Sequence, residues 1–368
     1  MKEKFFTVIP LNVGIGDQTD QMSILYALGS ACKYKYVHTP LVCERSTLGS
    51  LITRKVSKHI SFLRKSSNRL IKFLGLDRHE VNINDNKFHG YHIVNVNLYE
   101  ILQNNNISNI FDFKKYIDDT TISFSEPIIY SFVWIPKIYP LNAKIQSLIH
   151  TARANESSLN FKFSEKYWKA RETWSVTLPF DENKIKIAVH LRKGDTACIH
   201  LKDKIIDSWK LRYISSVNDA KFIQADTLKY YHVLQKIFTK YGEDKFSVVV
   251  LSDGYKRTFR RIRMAMLQGK LSIYDWVELN LIETKYNEEF EIFAKHSNIH
   301  TIIGESEENL LKSIHAVVCA DIVITRCSGF AWRMQKFRQA DNSAVMIDVS
   351  KSNDQLLKSI ESIFPNKL

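Results

Sequence analysis

The stretch Ile185 to Asp195, IKIAVHLRKGD, is the part of the chain that indicates the fold most strongly. Its apolar half is short, rich in β-branched residues and bounded by a glycine, which predicts a buried strand. His190 and Arg192 are two residues apart, so their side chains project from the same side where the strand ends. Ligands bind at the carboxyl ends of strands in open α/β sheets. The imidazole and guanidinium therefore form a candidate receptor for an anion such as a diphosphate, and a strand followed by a charged surface turn is the alternative interpretation.

The pattern of a strand followed by a polar loop recurs in the C-terminal half. The run FSVVVL is followed by Asp253, which is placed to accept hydrogen bonds from a base or a ribose, or to form a turn. The run ADIVIT is followed by Ser328 and Gly329, small residues that lead into a predicted helix and form a candidate phosphate seat. Strands alternate with helices throughout this half, which predicts an α/β fold with a mostly parallel sheet.

The first predicted strand, FFTVIP, leads into a glycine loop, Gly14-Ile15-Gly16-Asp17-Gln18, and then into a helix. Gly14 and Gly16 would let a ligand approach the backbone closely, and a tight connection between strand and helix is the alternative. The loop lacks the GK[ST] of a P-loop and the third glycine of the dinucleotide fingerprint.

The length of 368 residues predicts two domains, because single cores stop growing below this size. A break at TLPFD places the boundary between an N-terminal Rossmann-like domain, 1–178, and a C-terminal one, 179–368, with the option that the final helix packs back on the first domain. The 52 Lys and Arg against 39 Asp and Glu favour a negatively charged partner. These basic residues are dispersed and no nucleic-acid-binding motif occurs, so no nucleic-acid partner is expected.

The five cysteines lack CxxC spacing, which is typical of free thiols in a reducing compartment. The sequence shows no signal peptide and no long apolar run, so we expect a cytoplasmic protein. Residues 45–76 read as a basic amphipathic helix. Such a helix suits peripheral contact with an anionic membrane at its inner face, and a helix packed on the domain with a solvated basic face is the alternative.

Four motifs in order along the chain resemble the fucosyltransferase superfamily, which includes α1,2- and α1,6-fucosyltransferases and protein O-fucosyltransferases. The hexapeptide from His190 to Asp195 is similar to the HxRxxD motif, and Gly14 to Gln18 resembles the opening GxGNQ loop. Val249 to Gly254 and Ala320 to Trp332 resemble the second and third motifs. The resemblance implies a GT-B glycosyltransferase, in which two Rossmann-like domains face each other across a cleft. No Asp-x-Asp pair occurs, so neither a metal nor a cofactor is expected.

The resemblance also implies roles for individual residues. Arg192 would grip the donor β-phosphate, and Asp17, which stands where the family usually has Asn, would serve either as the catalytic base or as a helix cap. The residues implied in donor binding are His190 on the nucleotide, Asp195 bracing the loop, Asp253 near the guanine or ribose, Ser328, Gly329 and Phe330 on the phosphates and base, and Gly14 and Gly16 beside the donor.

Together with these observations, the resemblance implies an inverting, metal-independent transferase that moves fucose from GDP-fucose to a glycan acceptor in surface polysaccharide biosynthesis, with a lipid-linked acceptor as one option. Two alternatives stay open. One is a transferase of the same fold that uses another nucleotide sugar. The other is a non-catalytic protein that binds glycans or nucleic acid.

Overall fold

The computed structural model describes two compact units, Met1–Trp174 and Ser175–Leu368, and each is taken by itself below. The chain divides after Trp174. The sequence predicts this boundary slightly later, after residue 178. The described residues are 3–9, 15–39, 68–76, 81–103, 107–133, 147–148, 150–151, 162–194, 196–220, 226–326, 328–339, 344–351 and the single positions 355, 358 and 361.

The first unit is built on a four-stranded parallel sheet with the order β2-β1-β4-β3. Its elements in chain order are β1 (Lys4–Ile9), α1 (Ile15–Ala31), β2 (Lys35–Tyr36), α2 (Asn68–Leu74), β3 (His92–Asn97), α3 (Leu98–Gln103), α4 (Ile110–Thr120), β4 (Ile128–Val133) and α5 (Phe163–Arg171). The predicted strand and helix at the start of the chain are therefore confirmed, but Ile15 to Gln18, which were predicted as part of the glycine loop, form the first turn of α1.

Aromatic side chains hold α1 against this sheet. Phe6 on β1 and Phe132 on β4 are fully buried, and their rings meet edge to face at 5.8 Å. The α1 helix crosses β1 so closely that a Cβ built on Gly29 would lie 2.3 Å from Cδ2 of Phe6. Glycine at this position therefore sets the distance between helix and strand.

The second unit is built on a five-stranded parallel sheet with the order β10-β9-β5-β11-β12, which confirms the predicted α/β class. Its elements in chain order are β5 (Ile185–Leu191), β6 (Cys198–His200), β7 (Ile205–Asp207), β8 (Arg212–Ile214), α6 (Thr227–Tyr241), β9 (Phe246–Ser252), α7 (Lys256–Leu267), α8 (Trp276–Glu288), β10 (Ile299–Ile303), α9 (Glu307–Cys319), β11 (Ile322–Thr325), α10 (Gly329–Met334) and β12 (Val345–Asp348).

The central strand β5 is where the strand order reverses. From β5 the chain builds β9 and β10 on one side and then crosses to add β11 and β12 on the other. Ile187, Ala188 and Val189 of β5 are fully buried, as a strand covered on both faces requires. A reversal of this kind opens a crevice at the carboxyl ends of the two strands that flank it, and ligands of doubly wound sheets bind there.

Two features of the second unit are absent from the sequence-based prediction. The polar stretch after residue 195 forms a three-stranded antiparallel sheet, β6-β7-β8, and residues 276–288 form the helix α8. Most of the predicted final helix lies outside the described residues, although Glu361 forms an ion pair with Lys240 of α6 in the same unit.

The basic helix predicted over residues 45–76 lies outside the described residues up to residue 67. Its last part coincides with α2, where Leu70 and Phe73 are buried and Arg69 and Lys72 are exposed. Among the described helices, we find none that combines the length and the apolar character needed to cross a bilayer.

Replacing Gly29 with alanine tests the packing of α1 on β1. Alanine normally favours a helix over glycine by about 1 kcal/mol, but here its methyl group would overlap the ring of Phe6. We expect Gly29→Ala to lower the free energy of unfolding by about 1–3 kcal/mol in urea denaturation. Ser30→Ala, one residue along the same helix, is the control and should stay within about 0.5 kcal/mol of the wild type. A Gly29→Ala protein as stable as the wild type would contradict this packing.

Candidate functional site

Three loops of the second unit leave the sheet at the carboxyl ends of adjacent strands. They follow β5, β9 and β11. His190 of β5 pairs with Leu251 of β9 on one side and with Thr325 of β11 on the other, so the three loops begin side by side at the carboxyl ends of the strands. His190 lies near the end of β5, and the loops carry the predicted residues Arg192, Asp253 and Ser328. The structure thus brings these four predicted residues to the crevice beside β5.

The carboxylate of Asp253 holds the loop that follows β5. Its Oδ1 accepts hydrogen bonds from the backbone N–H of Lys193, at 3.0 Å, and of Gly194, at 2.8 Å. A Cβ built on Gly194 would lie 2.0 Å from Asp253 Oδ2, so only glycine allows the carboxylate this close. The structure therefore places Asp253 as a brace for the loop, and its predicted contact with guanine or ribose stays a prediction.

Lys193 anchors the same loop from its other side. Its side chain is buried, and Nζ lies 3.1 Å from Glu289 Oε1, which also accepts a hydrogen bond from the Tyr255 hydroxyl at 2.8 Å. The backbone carbonyl of Lys193 accepts a further bond from Thr258 Oγ1 at 2.8 Å. Lys193 is thus engaged inside the unit, and its position supports the shape of the loop.

His190 occupies the end of β5 as a neutral imidazole. Its ring packs against Phe330 with a centroid distance of 5.1 Å, which joins the end of β5 to the start of α10. Burial, assisted by the neighbouring Arg192, lowers the pKa of His190 to about 4. Its Nδ1 is buried and has no hydrogen-bond partner among the residues that the structure describes. A buried ring nitrogen of this kind needs a polar partner.

Two guanidinium groups supply the positive charge at this edge. Arg192 lies over the ring of Trp209 at 5.9 Å. Arg326 follows Thr325, the register partner of His190, and its Nε is buried with no hydrogen-bond partner in the described part of the chain. Arginine stays charged at every pH that a folded protein experiences, so this pair carries the charge that neutral His190 lacks.

Sequence reasoning did not select Arg326 as a site residue, nor Arg333. The signal for Arg326 was available, because a basic residue directly after a buried strand is the pattern that selected Arg192. Arg333 lies four residues after Gly329 on α10, so helical spacing alone brings its NH1 to 2.7 Å from where a Cβ on Gly329 would be.

Ser328 caps α10, the short helix that follows the third loop. It is fully buried, and its Oγ accepts a hydrogen bond from the backbone N–H of Ala331 at 3.3 Å. The predicted contact of Ser328, Gly329 and Phe330 with a phosphate or a base stays a prediction, and what the structure shows is that Phe330 packs on His190.

The remaining predicted residues are only partly described. Gly14 and Asp195 lie outside the described residues. Gly16 and Asp17 are the second and third residues of α1, and Gly16 is buried. Only the backbone of Asp17 is described, so its role as base or cap stays a prediction. No group of three metal-ligating side chains occurs among the residues that the structure describes.

Comparison with known proteins gives distant structural likenesses. No protein-family model matches the sequence, and no curated protein sequence matches it. Among solved structures, POFUT1 in complex with GDP-fucose is 12% identical, with 94% of this chain and 98% of that chain covered and a TM-score of 0.40. A mutant of Arabidopsis thaliana FUT1 with GDP is 11% identical, with 93% and 72% covered and a TM-score of 0.36. The fucosyltransferase NodZ from Bradyrhizobium is 10% identical, with 91% and 92% covered and a TM-score of 0.35. These TM-scores lie below 0.5, so the likenesses assign no activity to this chain.

Removing the Asp253 carboxylate tests the brace. Asp253→Ala leaves two backbone N–H groups without their acceptor, which costs about 1–3 kcal/mol of stability when such groups are buried. We expect faster hydrogen exchange in a peptide covering residues 192–196, measured by mass spectrometry.

The matched control is Asp321→Ala, at the amino ends of the strands of the same sheet. Asp321 Oδ2 accepts a hydrogen bond from the backbone N–H of Lys186, at the start of β5, at 2.9 Å. This variant should lose stability while the exchange of residues 192–196 stays as in the wild type. Equal protection of that peptide in both variants would refute the bracing role of Asp253.

Proposed function

We propose that the protein is an inverting glycosyltransferase that transfers a sugar, fucose in the first instance, from a nucleoside diphosphate donor to a glycan acceptor. The observation that carries the proposal is the set of unsatisfied donors at the crevice beside β5. The buried Nδ1 of His190 and the buried Nε of Arg326 have no hydrogen-bond partner among the described residues, and these two residues lie at the carboxyl ends of the adjacent strands β5 and β11. A diphosphate would satisfy these groups.

The charge distribution at this edge suits a diphosphate better than a neutral ligand. Two permanent guanidinium charges attract the anion, whereas the neutral His190 can donate one N–H without repelling them. Because the pKa of His190 is lowered, this arrangement holds at pH 7. A bound diphosphate would favour the protonated imidazole and raise that pKa.

The proposed reaction needs charge stabilisation at the leaving group. The acceptor hydroxyl oxygen bonds to the anomeric carbon from the side opposite the diphosphate, and the bond from that carbon to the diphosphate oxygen breaks. The electron pair of the broken bond stays on the diphosphate, where Arg192 and Arg326 stabilise the new charge, and a base accepts the hydroxyl proton. In the proposal side chains supply this stabilisation and no metal is required.

The choice of GDP-fucose as donor rests on the sequence motifs. The loop from His190 to Asp195 and the segment from Ala320 to Trp332 resemble fucosyltransferase motifs, and these are the loops that meet at the crevice. A GT-B arrangement with the two units facing across a cleft, a lipid-linked acceptor from surface polysaccharide synthesis and a cytoplasmic location belong to the same proposal.

A thermal-shift screen against GDP, UDP, ADP and CMP tests the donor class. A ligand that binds only the folded protein at about a hundred times its Kd adds about 2.7 kcal/mol of stability. We expect a shift with GDP alone. A shift with another nucleotide would change the donor, and no shift with any of them would overturn the proposal.

Substitutions in the same assay test the two arginines. Arg192→Ala and Arg326→Ala should each weaken GDP binding by about tenfold to a hundredfold, because each removes a charged hydrogen bond of about 1.5–3 kcal/mol. Lys240→Ala is the control, because it also removes one positive charge but lies away from the crevice. Lys240 is near the end of α6, just before the start of β9, and therefore at the amino ends of the strands. Unchanged GDP affinity in both arginine variants would exclude the phosphate role.

Replacing Asp17 with asparagine tests the proposed base. The assay is the hydrolysis of GDP-fucose, in which water takes the place of the glycan acceptor and GDP is released. We expect Asp17→Asn to slow this reaction by about a hundredfold or more, since general bases contribute about 10²–10⁴-fold. The thermal shift with GDP should persist. Asp20→Asn, three residues along α1, is the matched control. A normal rate in Asp17→Asn would leave Asp17 with the role of helix cap.

A further inference from the structure

Two adjacent cations follow β5, and the structure gives their side chains different environments. Arg192 is partly exposed, and its guanidinium lies over the ring of Trp209 at 5.9 Å. The side chain of Lys193 is only 7% exposed. A guanidinium and an ammonium can both bind a phosphate, so their chemistry alone does not separate them. Their burial does, and it indicates that the two residues have different tasks.

Every polar group of Lys193 is bound within the second unit. Its backbone N–H donates to Asp253 Oδ1 at 3.0 Å, and its backbone carbonyl accepts from Thr258 Oγ1 at 2.8 Å. Its Nζ lies 3.1 Å from Glu289 Oε1. The ammonium also lies 5.6 Å from the centre of the Tyr255 ring, within the range of a cation–π interaction. Lys193 is therefore held both at its backbone and at the end of its side chain.

Glu289 supplies the counter-charge from a fixed position. It lies directly after α8, and the next residue, Phe290, is buried in the core of the second unit. The Oε1 that pairs with Lys193 also accepts the hydrogen bond from the Tyr255 hydroxyl at 2.8 Å. Burial, together with the charge of Glu289, raises the pKa of Tyr255, so this hydroxyl keeps its proton and donates it. One carboxylate oxygen thus joins the loop after β5 to the loop after β9.

The ion pair is costly to break from one side. A buried ammonium is stable only beside a counter-charge, because water does not reach it. If Glu289 loses its charge, Lys193 must either lose its proton or move its side chain towards water. Both changes release the side chain from its site. The loop then loses one of its attachments, and Arg192, the preceding residue in the chain, loses its defined position.

We propose that Lys193 is a positioning residue rather than a phosphate ligand, and that its ion pair with Glu289 holds Arg192 at the crevice. This role rests on the proposed function, because it requires that Arg192 binds the diphosphate. Arg192 then supplies its charge to the ligand, whereas Lys193 and Glu289 neutralise each other. Glu289, which belongs to none of the sequence motifs, becomes a determinant of donor affinity.

Titration calorimetry with GDP tests this role in the full-length chain, at a temperature at which circular dichroism shows every variant to be folded. Glu289→Gln should bind GDP about tenfold more weakly than the wild type, because the ammonium loses its counter-charge and Arg192 its fixed position. In Arg192→Ala protein the same substitution should change the affinity by less than about twofold, since a positioning residue acts only through the group that it positions.

Lys193→Met is the second variant, because it keeps the buried stem of the side chain and removes the ammonium. It should also weaken GDP binding in the wild type and not in Arg192→Ala protein. If Glu289→Gln does not fold, Lys193→Met carries the test. Glu291→Gln is the matched control, because Glu291 is an exposed acid in the same segment after α8. It should bind GDP as the wild type does.

Two results would overturn the positioning role alone. The first is GDP binding by both variants as tight as that of the wild type. The second is a loss of affinity in Arg192→Ala protein as large as in the wild type, which would make Lys193 a direct phosphate ligand or the ion pair a merely structural one. A wild type that binds no GDP would overturn the proposed function, and the positioning role with it.

Discussion

The candidate site depends on one carboxylate, that of Asp253, and on the two backbone N–H groups that it holds. Through Lys193 and Gly194 it ties the loop after β5 to the end of the neighbouring strand β9. The constraint works in both directions. Gly194 must lack a side chain for the carboxylate to approach, and the carboxylate must be present for the buried N–H groups to be satisfied. A loop held in this way presents Arg192 in a defined position, which a receptor for a diphosphate requires.

Around the Asp253 carboxylate, the side chains at the crevice differ in their charge and chemistry. Burial keeps His190 neutral, with a pKa near 4, while two arginines retain their charge. Phe330 packs on the imidazole and links the loop after β11 to the end of β5. Charge, hydrogen-bond donors and shape therefore come from three separate segments. They meet because the strand order of the sheet reverses at β5.

The sequence-based prediction failed where no single periodicity dominates. The helix α8 is apolar on its buried face and again at the exposed Val277 and Leu281, so its pattern does not resolve into one stripe. The strands β6, β7 and β8 have three residues each, which is too short for alternation to be recognised. Their structure comes from mutual pairing and from contacts such as that of Tyr213 with Asp275.

By itself the sequence determined the α/β class, the strands of the two parallel sheets, and the residues His190, Arg192 and Asp253 at strand ends. It could do so because a buried strand and the loop that follows it consist of contiguous residues, so their pattern is visible in a short stretch of sequence. Only the tertiary structure decided that Asp253 braces the loop, that Arg326 belongs to the same edge as Arg192, and that α8 turns a second apolar face outward. Each of these depends on which strands pair and which helix faces are covered, and strand order is not encoded in any local stretch.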